Sequence, residues 1–243
     1  MRQVHLMVWI PITALVLLNG CATGGSRYTP IFDYSPPQQA KPAAANVTFA
    51  VVGATFPGST TTLFQQFAQN ISQDFFEILT SRGYTVRGPF RTYDEITFPD
   101  KKGSDLILMP ELQINWDTSS LRWEQSFGAA LFGQSAYTGE GNLVLTGRIN
   151  LIVAESLSKE KMWTKSVDIP PLTVRVEETA SYSAPNVPIQ QLLESESAVY
   201  NPVAKALEMQ YKTILDRANQ YLDPDEMQIV KKQAQEIRNK KVY

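Results

Sequence analysis

Hydrophobic residues along this chain recur with two periods, and each period marks its own elements. Residues 46–56 (NVTFAVVGATF) are β-branched and aromatic almost throughout and stop at Pro57-Gly58, which predicts a buried strand. The hydroxyls of Thr60, Thr61 and Thr62 then offer caps for a helix. Within it Phe64, Phe67, Ala68, Ile71, Phe75, Ile78 and Leu79 recur every three or four residues and so share one face. Gly83 is placed to take the left-handed turn that closes such a helix. Residues 84–90 read as a second short strand, completing a β-α-β unit. The polar run through Asp100-Lys101-Lys102-Gly103-Ser104 predicts a turn.

The period then changes to that of a strand. Residues 105–116 (DLILMPELQINW) begin apolar on both faces and go on to alternate. Leu112, Ile114 and Trp116 fall on one side, Glu111, Gln113 and Asn115 on the other. Pro110 lacks the N–H of a ladder and predicts an edge position or a bulge. In residues 142–154, Leu143, Leu145, Ile149, Leu151 and Val153 share a face. A polar turn at 156–160 returns the chain through 161–169, so the two runs form a long hairpin. Residues 172–176 extend its second arm beyond Pro170-Pro171.

The last third returns to the helical period. Residues 188–197 predict a short helix. Asn201-Pro202 reads as an N-cap with Pro at the first helical position, and Val203, Ala206, Leu207, Tyr211, Ile214, Leu215, Ala218 and Leu222 continue one face. Asp223-Pro224-Asp225-Glu226 repeats the device, with Glu226 placed to close a capping box. Met227, Val230, Ala234 and Ile237 form a thin stripe on the final helix, and Lys231, Lys232, Arg238, Lys240 and Lys241 make its end basic. Those cations are either a solvated face, favourably placed at a helix C-terminus, or a patch for lipid or glycan. The whole pattern predicts an α/β (α+β) fold. It is a two-layer sandwich of a mixed, mostly antiparallel sheet with helices on one face and a C-terminal helical extension.

The beginning of the chain follows neither period. Residues 6–18 form an uncharged apolar run behind Arg2. It is shorter than the roughly 20 residues a membrane-spanning helix needs, and it suits the h-region of a secretory signal. The run ends in Leu18-Asn19-Gly20-Cys21, which resembles a bacterial lipobox, whose Cys receives fatty acid such as palmitate. Residues 1–20 are then a lipoprotein signal peptide and Cys21 is the lipidation site. Ala22, rather than Asp, after the Cys points to the outer membrane by resemblance to lipoprotein sorting. Residues 21–45 hold Pro30, Pro36, Pro37 and Pro42 among Gly, Ser, Gln and Ala, which predicts a lipidated tether, extended and unpacked. The α/β domain follows at 46–222 and the C-terminal helix at 223–243.

Composition removes most catalytic chemistry. His5 is the only His and Cys21 the only Cys among 243 residues. Beyond position 21 there is therefore no Ser-His-Asp or Cys-His catalysis, no His or Cys zinc site and no disulfide. No enzymatic activity, cofactor or metal is expected. A net charge of −2 supplies no basic footprint for nucleic acid. Residues 127–141 (FGAALFGQSAYTGEG) surround Phe127, Leu131, Phe132 and Tyr137 with Gly and Ala. They are either a loop packed on the domain or an apolar tongue that inserts into a partner subunit or a lipid surface.

Several of these strings resemble the neuraminyllactose-binding haemagglutinin (HpaA-like) family of bacterial lipoproteins. They include Cys21 in its lipobox, Ile78-Leu79-Thr80-Ser81-Arg82-Gly83-Tyr84-Thr85-Val86 at a helix end and the strand after Lys101-Lys102-Gly103. Ile149-Asn150-Leu151-Ile152-Val153-Ala154-Glu155 with Ser156-Leu157-Ser158, and the helix from Asn201, complete the set. The resemblance implies a surface or flagellar-sheath lipoprotein with a role in adhesion to sialylated host glycans. Where that family carries a Lys/Arg-rich heptapeptide, this chain has Ser119-Ser120-Leu121-Arg122-Trp123-Glu124-Gln125, with one cation and one acid. Arg122 offers a guanidinium fork for a sialate carboxylate and Trp123 a stacking face.

Two readings remain. One is a structural envelope component anchored to the membrane through the lipid on Cys21, associating with a protein partner or with copies of itself. The other is an adhesin that binds sialylated glycans.

Overall fold

The strand β1 (Thr48–Val52) lies inside the sheet because it is apolar on both faces, with Phe49, Ala50 and Val51 fully buried. The computed structural model to which it belongs describes residues 26–37, 46–57, 61–125, 137–182 and 188–241. Helix α1 (Thr62–Ser81) buries Phe64, Phe67, Ala68, Ile71, Phe75, Ile78 and Leu79, the stripe its periodicity predicts. Gly83 adopts φ 84° just past the helix, a conformation open to Gly without a Cβ clash. The chain then enters β2 (Thr85–Phe90), parallel to β1.

The polar stretch that follows is more structured than a turn. It holds a 3₁₀ turn at Tyr93–Glu95 and a short helix α2 (Phe98–Gly103). Thr97 caps α2 by accepting the Asp100 N–H, and Pro99 sits in its first turn. These pieces cover a small apolar cluster of Ala50, Val52, Ile96 and Ile107 on the sheet face away from the main helices.

Strand β3 (Leu106–Asp117) runs parallel to β1 over Leu106, Ile107 and Leu108, and antiparallel to β5 (Tyr137–Glu155) along its whole length. It is therefore an interior strand; of the edge or bulge that Pro110 predicts, the edge is not found, and the pairing with β1 is instead interrupted beside it. Pro110 is tolerated because β1 stops pairing after Val51 and resumes only with a bridge from Thr55 to Glu111. The Pro110 carbonyl accepts the Thr55 N–H at 3.0 Å, and Thr55 accepts from Leu112 at 2.8 Å. The missing N–H thus falls where pairing with β1 lapses, between Leu108 and the Thr55 bridge.

Beyond β3, the short β4 (Arg122–Gln125) pairs with the first residues of β5, and β6 (Lys161–Tyr182) pairs along the other side of β5. The ladder between β5 and β6 slips opposite Pro170-Pro171, on a strand that pairs only with β5 among the described residues. The sheet order is β2-β1-β3-β5, with β6 outside β5 and β4 beside β5 past the end of β3. The result is the expected mixed, mostly antiparallel sheet.

Helices α3 (Ile189–Ser195), α4 (Ser197–Tyr221) and α5 (Pro224–Lys240) join α1 on one face and complete the main core. Helix α4 begins before Asn201, so Asn201-Pro202 is not its cap. Val199 and Tyr200 are buried and continue the apolar face upstream of Pro202, which forfeits one early helical bond to the Ala198 carbonyl. Asp223 does cap α5, accepting from the N–H groups of Asp225 and Glu226 at 2.9 and 3.2 Å. The Glu226 carboxylate accepts the indole N–H of Trp163 at 2.8 Å instead of closing a capping box.

The described part of the Pro-rich segment, residues 26–37, is extended as its prolines require, but it is packed. Pro30, Phe32 and Tyr34 are buried, while Thr29, Ile31, Asp33 and Ser35 face outward. Phe32 meets Phe67 edge-on at 5.2 Å and Tyr211 at 5.1 Å. The Tyr34 hydroxyl donates to Asp216 at 2.9 Å. This strap lies along α1 and α4, and burying its two aromatic rings contributes roughly 3–6 kcal/mol.

Candidate functional site

A concave surface lies where β3 passes the start of α3. It comprises two adjoining compartments of about 300 and 470 Å³ that share Ile114, Asn115, Trp116 and Gln190. Four stretches of sequence build it, the fourth being the turn into β4 with Thr118, Leu121 and Trp123. Phe56, Thr61 and Phe64 come from the approach to α1, Leu112 to Trp116 from β3, and Pro188, Ile189 and Leu192 from α3. Alternation along β3 aims Trp116 at the helix layer, where Phe64 meets it edge-on at 5.7 Å and Phe56 meets Phe64 at 5.9 Å. The polar lining is amide and hydroxyl only, from Thr61, Gln113, Asn115, Thr118 and Gln190. A surface of this kind presents aromatic faces and neutral hydrogen-bonding groups. Among the described lining residues none is an Asp, Glu, Lys, Arg, His or Cys.

Trp123 belongs to this groove and Arg122 does not. On β4 successive side chains point to opposite faces, so Leu121 and Trp123 turn toward the second compartment while Arg122 and Glu124 are exposed on the other side. The two residues cannot form a fork and a stacking face for one sugar. The Trp123 ring lies against Gly139 of β5, where a Cβ would fall 2.7 Å from it, so that Gly makes the room the indole occupies. Tyr137 enters as the first residue of β5. Cys21, Phe127, Leu131 and Phe132 lie outside the described residues.

The basic end of the last helix is solvated in part: Lys232, Lys240 and Lys241 are exposed, whereas Lys231 and Arg238 are drawn against the domain. Arg238 reaches the Glu155 carboxylate at 2.5 Å, and its guanidinium also donates to the Ser104 and Asp105 carbonyls and to the Ser156 hydroxyl. Lys231 pairs with Asp105 at 3.0 Å and Lys241 with Glu160 at 2.8 Å. Burial alone would raise the Glu155 pKa. The Leu157 N–H, the Arg238 guanidinium and the Ser158 N–H together hold it below the usual carboxylate range. This cluster locks α5 to the turn between β5 and β6. Sequence gave no sign of it, because Glu155 and Arg238 are 83 residues apart.

A second buried acid, Asp74 on α1, accepts the Tyr211 hydroxyl from α4. Burial pushes its carboxyl up to about 6 against the lowering effect of that hydrogen bond, with the charges of Glu77 and Asp33 adding to the rise. Among the described residues no group of three or more His, Cys, Asp or Glu is arranged to hold a metal ion, and no helix is long and apolar enough to cross a membrane.

The architecture is that of a two-layer α/β domain with a neutral aromatic groove at one end. It is similar to the crystal structure of a protein described as a neuraminyllactose-binding haemagglutinin homologue from Helicobacter pylori. The TM-score is 0.56 at 16% identity, over 86% of this chain and 100% of that one. The two proteins share a fold. Looser likenesses are to the PelC dodecamer of Paraburkholderia phytofirmans (10% identity, TM-score 0.31, 71% of this chain and 92% of that one) and to lipoprotein GNA1162 of Neisseria meningitidis (15%, 0.25, 65% and 99%). No family model and no curated protein matches the chain.

Proposed function

We propose that this chain is a lipoprotein of the HpaA-like kind, anchored to the outer membrane through fatty acid on Cys21 and acting as a non-catalytic envelope component. Its place would be in the flagellar sheath or another surface assembly. Residues 1–20 serve as the signal peptide, 21–45 as the lipidated lead-in, 46–222 as the α/β domain and 223–243 as its closing helix. The observation that carries the reading is the groove: Trp116, Trp123, Phe56 and Phe64 with an uncharged polar lining suit contact with a partner rather than group transfer. The shared fold with a haemagglutinin homologue supports the same class. The link between Gln125 and Tyr137, which carries Phe127, Leu131 and Phe132, supplies further apolar contact for a protein partner or a second copy.

Intact mass measurement of the protein extracted from a host with lipoprotein processing tests the anchor. The expected species begins at Cys21 and carries diacylglyceryl and fatty acyl mass; a bare thiol or an uncleaved start overturns it. Trp116→Ala and Trp123→Ala then test the groove, and loss of co-purifying envelope partners without loss of folding is the expected result.

The second reading, an adhesin for sialylated glycans, is favoured by the name of the structural neighbour and by the exposure of Arg122. Since Trp123 faces the other way, recognition would rest on Arg122 alone. Binding of sialyllactose on a glycan array that disappears in Arg122→Ala supports it, and the absence of binding removes it.

A further inference from the structure

The chain runs from the domain toward Cys21 at a fixed place and with little slack. Asn201, near the start of α4, donates to the Ser26 carbonyl at 3.1 Å and accepts the Tyr28 N–H at 2.7 Å. The Arg27 guanidinium donates to the Leu193 carbonyl at 2.6 Å and lies 4.0 Å from the Tyr200 ring centroid. The Tyr28 hydroxyl donates to Glu208 at 2.5 Å. Only Ala22, Thr23, Gly24 and Gly25 separate Cys21 from this dock. Fully extended, they bridge at most about 17 Å, whereas the whole of 21–45 acting as an undocked tether would reach roughly 80 Å.

The dock sits at one end of the domain. Thr62 at the start of α1 donates to Glu194 of α3, and Val199 at the start of α4 lies beside Trp123 and Leu121. The same end carries the groove and the turn between β3 and β4. The opposite end carries the turn between β5 and β6, held by Arg238 and Lys241. From Leu143 to Glu155 the strand β5 alone runs about 40 Å between these ends.

We infer that the end where α1 and α4 begin faces the lipid bilayer, so that the domain stands on the membrane with its groove at the membrane side and its β5–β6 turn pointing away. This rests on the reading of Cys21 as the lipid-bearing residue. The short leash fixes which end is near.

Fluorophores on single introduced cysteines test the orientation, because a lipidated Cys21 offers no competing thiol. Ala198→Cys and Ser120→Cys mark the near end and Lys102→Cys the far end, all at exposed positions. The full lipidated chain is reconstituted in phosphatidylcholine vesicles containing a headgroup nitroxide lipid. Labels at 198 and 120 are expected to lose most of their emission and the label at 102 to keep it. Equal quenching at all three positions means the domain lies flat or tumbles on a loose tether, and stronger quenching at 102 inverts it; either result overturns the inference. Protein that fails to float with the vesicles overturns the anchor, and the orientation with it. An Asn201→Ala, Arg27→Ala variant frees the residues ahead of the buried Pro30 and Phe32 and so lengthens the leash; it is expected to weaken the quenching at 198 and 120 while still floating.

Discussion

At the scale of single residues, the buried acids decide how stability responds to pH. Asp74 has an ordinary carboxyl value of 3.8 raised to about 6 in the folded chain. Between those values the native state keeps a proton that the unfolded chain has released. Stability from this group is therefore full below about pH 4, falls as pH rises and is lost above about 6. Asn cannot ionise, yet it still accepts the Tyr211 hydroxyl. Asp74→Asn should thus gain on the native chain between pH 4 and pH 7 by about 1–3 kcal/mol, read from urea midpoints at each pH. A constant difference across that range would show that the Asp74 carboxyl titrates alike in the folded and unfolded chain. Glu155 has the opposite sign. Its lowered value contributes stability above the usual glutamate range that is lost as pH falls through the folded value. Its side chain is fully buried and that of Arg238 only 20% exposed. Arg238→Ala strands that charge and should cost about 3–5 kcal/mol by chemical denaturation. Arg238→Lys should recover part, since it keeps the charge but not all the bonds to the Ser104 and Asp105 carbonyls. Neither acid was legible in the sequence: each partner lies on a distant element, and nothing local marks Asp74 or Glu155 as buried.

At the scale of elements, legibility followed periodicity. The stripe of α1, the alternating β5 and the capped start of α5 were readable because one face of each is buried over several turns or pleats. The failures are short or aperiodic. Helix α2 is a single turn made by Thr97, Pro99 and Asp100, and its residues look like any polar loop. Asn201-Pro202 carried a correct local signal for a cap that tertiary packing of Val199 and Tyr200 overrode. The strap did carry a signal, since Tyr28, Pro30, Phe32, Tyr34 and Pro36 alternate with outward residues, but its proline content masked the pattern. In the groove the informative element is the β4–β5 pair, where Gly139 leaves room for the Trp123 indole. Gly139→Ala places a methyl 2.7 Å from that ring and should drive it off its seat. The expected signs are altered tryptophan emission and a cost of about 1–3 kcal/mol. Unchanged emission would place Trp123 elsewhere than against β5.

At the scale of the whole molecule, the groove was illegible because four separate segments build it, whereas the sheet that carries it was readable strand by strand. The strap adds a connection that neither the domain pattern nor the lipobox suggests. Every described contact of the N-terminal region begins at Ser26, so the anchor and the fold should be separable at that point. A chain starting at residue 22 lacks the lipid but keeps the whole strap. It should unfold within about 0.5 kcal/mol of the lipidated protein in detergent, because nothing described packs upstream of Ser26. A chain starting at residue 38 lacks Phe32 and Tyr34 and bares the faces of Phe67 and Tyr211 that they cover. Losing that burial should cost roughly 3–6 kcal/mol and lower the urea midpoint accordingly. Equal midpoints for the two truncations would mean that the strap is a passive tether after all. A large loss in the first would mean that residues before Ser26, or the lipid itself, hold the domain together.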